Sequence, residues 1–215
     1  MKKLFFTFAL FFTASIIFSS YSRDNDYNGD GNDNGALPTD AGVVINDVRW
    51  ATRNVNAPGT FVQNPQDAGM FFQWGRNVGW SSTDPMVNSH GSTTWDSSFS
   101  RGTNWGTVVD PCPIGWRVPT LEELRSLGEG RWTTDWNGTG VSGRTFGTAY
   151  YLLFLPAAGL RLATGALRDV GDWAYYWSST ARGASFGYFL YFGSDGSYGH
   201  ADFRANGFSV RCVAE

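Results

Sequence analysis

Apolar and polar residues alternate in short bursts along most of this chain, and long apolar runs occur at only two places. The first, "LFFTFALFFTASIIF" at 4–18, follows Lys2 and Lys3 and gives way to Ser19 and Ser20. The second, "YYLLFLPAAG" at 150–159, is ended by Pro156 and predicts a central buried strand. Between them, "VVINDVRWATRNV" at 43–55 predicts two short strands around a turn, with Val44, Val48 and Trp50 as the apolar positions. Residues 58–109 are rich in Gly, Ser, Asn and Trp without a sustained period, apart from one helical turn predicted near "PQDAGMFFQWGR" at 65–76.

The strongest local signal is "RVPTLEELRSL" at 117–127. Thr120 followed three residues later by Glu123 is a capping box, in which each residue satisfies a backbone N–H that the first helical turn leaves open. Leu121, Leu124 and Leu127 then recur at helical spacing and predict a short amphipathic helix with its Leu face inward. Glu122 and Glu123 do not share a helix face, so they read as helix support rather than as a catalytic carboxylate pair. With "AYYWSST", "GYFLYF" and "GFSVRCV" as C-terminal strands, few helices, many short strands and long loops predict an α+β or mostly β domain, and α+β with mostly short antiparallel strands and about two helices is the expectation carried forward.

The segment "GASFGYFLYFGSDGSYGHADFRANG" at 183–207 departs from ordinary strand patterning. Period-2 alternation places Tyr188, Leu190 and Phe192 on one face and Phe189 and Tyr191 on the other. A half-buried strand carries polar residues on its second face, yet this one carries Phe and Tyr and runs into small polar residues. Rigid amphipathic rings amid Ser, Gly, Asp and His are the composition of an adaptable binding surface. An ordinary structural hairpin is the competing reading.

Composition narrows the function classes. Ten Trp, nine Tyr and seventeen Phe with only 16% charged residues describe a globular chain long enough for one ordinary domain. A net charge of -3 offers no basic patch for phosphates, which argues against a nucleic-acid partner. Residues 1–22 read as an export signal, since the apolar run falls short of the ~20 residues a membrane span needs. The junction resembles a lipoprotein leader with Tyr21 where the lipidated Cys would stand, and a phenol cannot form the thioether. Residues 23–41 read as a flexible Asp/Asn/Gly-rich linker before a domain at 42–215. "DNDYNG" at 24–29 opens like a calcium loop, but Gly35 stands where the bidentate Glu is required. The two cysteines, Cys112 and Cys212, favour a disulfide in an exported chain, with two buried thiols as the alternative.

Seven segments taken in order resemble one family: "WATRNV" at 50–55, "APGTF" at 57–61, "FQWGR" at 72–76, "DPCPIGWRVPTLEEL" at 110–124, "LFLPAAGLR" at 153–161, "YWSST" at 176–180 and "GFSVRCV" at 207–213. It is the exported Bacteroidetes domain named for the Fibrobacter succinogenes major paralogous proteins. The resemblance implies a C-type lectin-like fold of the formylglycine-generating-enzyme type, and no activity by itself. The C-terminus resembles, more narrowly, the variable region of diversity-generating retroelement proteins, here about 181–206. Those regions are varied at adenines, typically in codons whose third position stays a pyrimidine. Such codons cannot encode Lys, Gln, Glu, Met or Trp, the five residue types absent from 178–213, although they supply roughly one residue in eight elsewhere.

This resemblance implies contact residues at Phe186, Phe189, Tyr191, Asp195, Ser197, Tyr198, His200, Asp202 and Phe203, with Arg182 and Ser185 as weaker candidates. "YWSST", Leu190, Phe192, Arg204 and "GFSVRCV" read as framework. The enzyme relatives work through paired cysteines or a copper thiolate, and two cysteines far apart in sequence do not match that chemistry. Two histidines, His90 and His200, are too few for a histidine-rich metal site. The Glu-Pro-Asn and Gln-Pro-Asp tripeptides of calcium-dependent lectins are absent. The expectation is a secreted or cell-surface binding protein with no cofactor or metal, recognising a protein or glycan receptor, with any membrane association only through a lipid anchor. A structural or adhesin module is the first alternative.

Overall fold

The computed structural model describes residues 40–215. The expected signal, the Tyr21 junction and the calcium-loop test all lie outside the described residues. In chain order the strands are β1 (Val43–Ile45), β2 (Val48–Trp50), β3 (Met70–Gln73), β4 (Gly79–Ser81) and β5 (Trp116–Arg117), followed by helix α1 (Leu121–Ser126). Then come β6 (Arg131–Thr133), β7 (Gly143–Thr148), β8 (Tyr151–Pro156), β9 (Leu160–Arg161) and β10 (Leu167–Arg168). The C-terminal part carries β11 (Ala174–Arg182), β12 (Phe186–Gly193), β13 (Gly196–Phe203), β14 (Gly207–Phe208) and β15 (Val213–Ala214). They form sheets in the orders β1-β2-β15-β5, β10-β9-β14-β3-β4, β11-β12-β13 and β6-β7-β8, with every pair of named strands antiparallel.

The α+β, C-type lectin-like expectation with about two helices is therefore corrected to a fold of mostly antiparallel β-sheet. Among the described residues α1 is the one α-helix, accompanied by single 3-10 turns at Thr107–Val109 and Trp136–Gly138. The helical turn expected at 65–76 is strand β3 instead. Gly69 and Gly75 flank it at φ +72° and +70°, and a side chain at Gly69 would meet the Val55 carbonyl at 2.2 Å. Phe71 and Phe72 are buried in a ladder with β4 and β14. The apolar run at 150–159 is also not a central strand: among the described residues β8 is an edge strand paired with β7, with Tyr151 and Leu152 exposed while Leu153, Phe154 and Leu155 pack inward.

The local signals hold. Thr120 Oγ1 accepts from the Glu123 N–H at 3.2 Å, and the Glu123 carboxylate accepts from the Thr120 N–H at 2.7 Å. Leu121, Leu124 and Leu127 are buried. β1 and β2 join through Asn46–Asp47, both at positive φ, the two-residue turn whose twist matches its flanking strands. Asp40, within the expected linker, is fixed to the domain by the Thr52 N–H at 3.0 Å and by Arg53 at 3.1 Å.

Two apolar clusters flank the β11-β12-β13 sheet. Tyr176, Leu190 and Phe192 join one with Trp50, Leu124 and Phe146. Trp177 and Phe189 join the other with Phe72, Trp74 and Phe208. Cys112 and Cys212 are bonded, S–S 2.04 Å, tying β15's approach to the loop before β5. No helix among the described residues is long and apolar enough to cross a membrane.

Candidate binding face

The register of the C-terminal sheet decides which side chains meet. Tyr175 lies opposite Tyr191 and Trp177 opposite Phe189. Across the next ladder Tyr191 lies opposite Tyr198, Phe189 opposite His200 and Gly187 opposite Asp202. Period-2 alternation thus gathers Tyr175, Trp177, Phe189, Tyr191, Tyr198, His200 and Asp202 on one face.

Tyr191 is the centre of that face. Its ring centroid is 5.3 Å from Tyr198, 5.7 Å from Trp173, 5.8 Å from Phe189 and 6.3 Å from both Tyr175 and His200. Phe189 forms the floor: it is only 4% exposed and packs on Phe208 at 4.8 Å and Trp177 at 5.8 Å. The expected exposed position of Phe189 is corrected accordingly, because Trp177 and Phe208 of the second cluster pack on its ring on this same face. Tyr175, Phe189, Tyr191 and His200 enclose an open recess of about 160 Å³. Tyr198, 46% exposed, stands at its edge.

The polar groups around the recess are ordered. The Tyr175 hydroxyl donates to Asp169 Oδ2 at 2.7 Å, and burial, reinforced by that carboxylate, pushes its pKa well above the ordinary phenol value. Tyr175 is therefore a donor at all physiological pH. His200 Nδ1 lies 3.0 Å from the Ala201 carbonyl, and since that carbonyl can only accept, Nδ1 carries the shared hydrogen. Asp202 Oδ1 accepts from the Phe203 N–H at 2.7 Å.

The other expected contact residues lie elsewhere. Phe186 and Phe203 pair across the ladder with centroids 4.6 Å apart, on the opposite side of the alternation. Ser197 shares that side and donates to the Gly128 carbonyl at 3.2 Å. Asp195 occupies the two-residue β12–β13 turn, where its carbonyl accepts from the Tyr198 hydroxyl at 3.4 Å. Arg182 is exposed at the far end of the hairpin. The carbonyl of neighbouring Ser185 accepts from the Arg204 N–H.

Trp173, Tyr175 and Asp169 belong to the face but precede the compositionally biased segment. The signal that finds Tyr175 is the alternation in "AYYW", which sets Tyr175 and Trp177 on one side of β11. Framework residues fall where expected. Leu190, Phe192 and Arg204 are all at most 4% exposed.

In two larger clefts the central carboxylates are engaged internally. One of about 560 Å³ contains Trp116, Arg117 and Asp110. Asp110 accepts from the Cys112 and Val118 N–H groups, while Arg117 pairs with Glu123 at 2.6 Å. Another of about 500 Å³ contains Trp136, stacked on Phe154 at 4.5 Å, and Asp135, which accepts from the Gly140 N–H. Comparison of the chain with family models, with curated proteins and with solved structures finds no match in any of the three.

Proposed function

We propose that this chain is an exported or surface-displayed binding protein whose β11-β12-β13 sheet presents its receptor-recognition face. We further propose that a diversity-generating retroelement varies the exposed part of that face. The observation that carries the binding reading is the aromatic ladder of Tyr175, Tyr191 and Tyr198 around a recess floored by Phe189. Rings held by packing below and open to solvent above offer contact area at small entropic cost.

Diversification is supported by the five absent residue types at 178–213 and by how the segment divides. Leu190, Phe192 and Arg204 are enclosed, while Tyr198, His200, Asp202 and Phe203 reach solvent to differing degrees. Variation confined to the second group leaves both clusters intact. Export is supported by the basic-then-apolar N-terminus and by the disulfide, which persists in oxidising compartments. Both cysteines are engaged in that bond, which favours binding over thiol chemistry.

Two experiments test the reading. A near-identical repeat differing only at adenines, beside a reverse-transcriptase gene in the source genome, supports diversification, and a complete genome without one overturns it. Panning a displayed peptide library against the folded protein tests the face. Selected peptides should lose binding to a Tyr191→Ala/Tyr198→Ala variant that keeps its melting temperature.

A further inference from the structure

We propose that the recess between Tyr175, Phe189, Tyr191 and His200 receives the cationic head of a single Arg or Lys side chain from a protein partner. The inference rests on the binding reading above and names the chemistry of its occupant.

Size sets the first limit. At about 160 Å³ the recess is smaller than the ~300 Å³ at which small-molecule pockets begin, so it holds one side-chain head rather than a metabolite. Lining sets the second, because all four enclosing residues are rings. The π-faces of Tyr and Phe carry negative electrostatic potential and attract a cation placed over them. Tyr175 and Tyr191 are nearly parallel at 14°, and His200 stands at 83° to Tyr191, so rings form walls on two sides above the Phe189 floor.

Charge sets the third. Asp169 holds the Tyr175 hydroxyl at 2.7 Å, and Asp202 lies on the same sheet face, two residues beyond His200 on β13. Both carboxylates act on Tyr175 and, behind burial, help keep it protonated. Among the described residues no Lys or Arg lines the recess. An anion would meet these carboxylates and the ring faces together, whereas a guanidinium or ammonium is attracted by both.

Pentapeptides Gly-Gly-X-Gly-Gly with X as Arg, citrulline, Lys, norleucine or Glu provide the test, read by NMR shifts of the Tyr175, Tyr191 and His200 rings. The Arg and Lys peptides should bind at least about tenfold more tightly than their neutral isosteres citrulline and norleucine, a difference of about 1.4 kcal/mol. In the isosteric Asp169→Asn/Asp202→Asn variant that ratio should fall towards one. If the double variant does not fold, Asp202→Asn alone should lower the ratio at least about threefold, which is about 0.6 kcal/mol.

Equal binding of charged and neutral peptides at these rings overturns the cation assignment while leaving the binding face standing. A ratio unchanged in the Asn variants places charge recognition elsewhere and overturns it too. Absence of any ring shift at about 10 mM peptide, weaker than about 3 kcal/mol of binding, also overturns it. The binding face itself falls only if library-selected peptides bind the Tyr191→Ala/Tyr198→Ala variant as well as the parent.

Discussion

The Arg204 guanidinium lies over the Trp74 ring, its carbon 3.9 Å from the ring centroid. Arg204 donates to the carbonyls of Phe186, Gly183, Ser100 and Gly102, and Trp74 Nε1 donates to the Ser178 carbonyl at 2.8 Å. One stacked pair therefore pins the β11–β12 turn to β3 and to the loop at 100–102. Gly187 completes the fit, since a side chain there would meet Trp74 at 2.3 Å.

Arg204→Lys should destabilise the domain by about 2–4 kcal/mol. An ammonium keeps the charge but loses the planar fork, so buried carbonyls among the four are left without donors. Urea denaturation of the two proteins measures the loss. A change within about 0.5 kcal/mol, the range of an ordinary surface substitution, would remove Arg204 from the framework.

Phe189 and Tyr198 lie on one sheet face, yet they should behave oppositely. Phe189→Ala removes a ring packed on Phe208 and Trp177 and should cost about 3–5 kcal/mol. Tyr198→Ala removes a ring 46% exposed and should change stability by only about 0.5 kcal/mol while weakening selected ligands. Thermal unfolding and peptide binding measured on both variants separate floor from rim.

What the sequence made legible follows the range of the interactions involved. The Thr120–Glu123 box and the Asn46–Asp47 turn close within a few residues, so spacing alone identified them. β3 depends on pairing of Phe72 with Phe208, far along the chain, and no local period reports that. Tertiary packing likewise hid the burial of Phe189, which alternation placed on the correct face without showing that Phe208, brought in from another sheet, packs on its ring. Tyr175 escaped because compositional bias begins after it, although its alternation with Trp177 was visible.

The Cys112–Cys212 bond closes a separation of 100 residues. In the chain-entropy model such a loop contributes up to about 4.7 kcal/mol, and loss of native disulfides from small secreted domains commonly costs about 2–5 kcal/mol. Reduction, or Cys112→Ser with Cys212→Ser, should lower the urea midpoint accordingly. Cys212 is fully buried beside Ala51 and Val210, so the serine pair should lose slightly more than reduction does. A midpoint unchanged by reductant would show that the sheets hold without the bond.

Alkaline pH should reveal Tyr175. Burial first, then the Asp169 hydrogen bond, raise its pKa in the folded chain above the value of about 10 that it has when unfolded. An acid with a raised folded pKa contributes stability that is complete below the unfolded pKa and is lost as pH rises towards the folded value. Tyr175→Phe cannot ionise, so the stability of the parent relative to this variant should be constant from about pH 7 to 9 and decline above about pH 10. Tyr176, pushed up to about 12 by complete burial, is present in both proteins and cancels in the difference. Melting temperatures of the pair across that range make the measurement. Parallel curves would mean that the Tyr175 phenol titrates as freely as one in water, and that the Asp169 contact does not hold its proton.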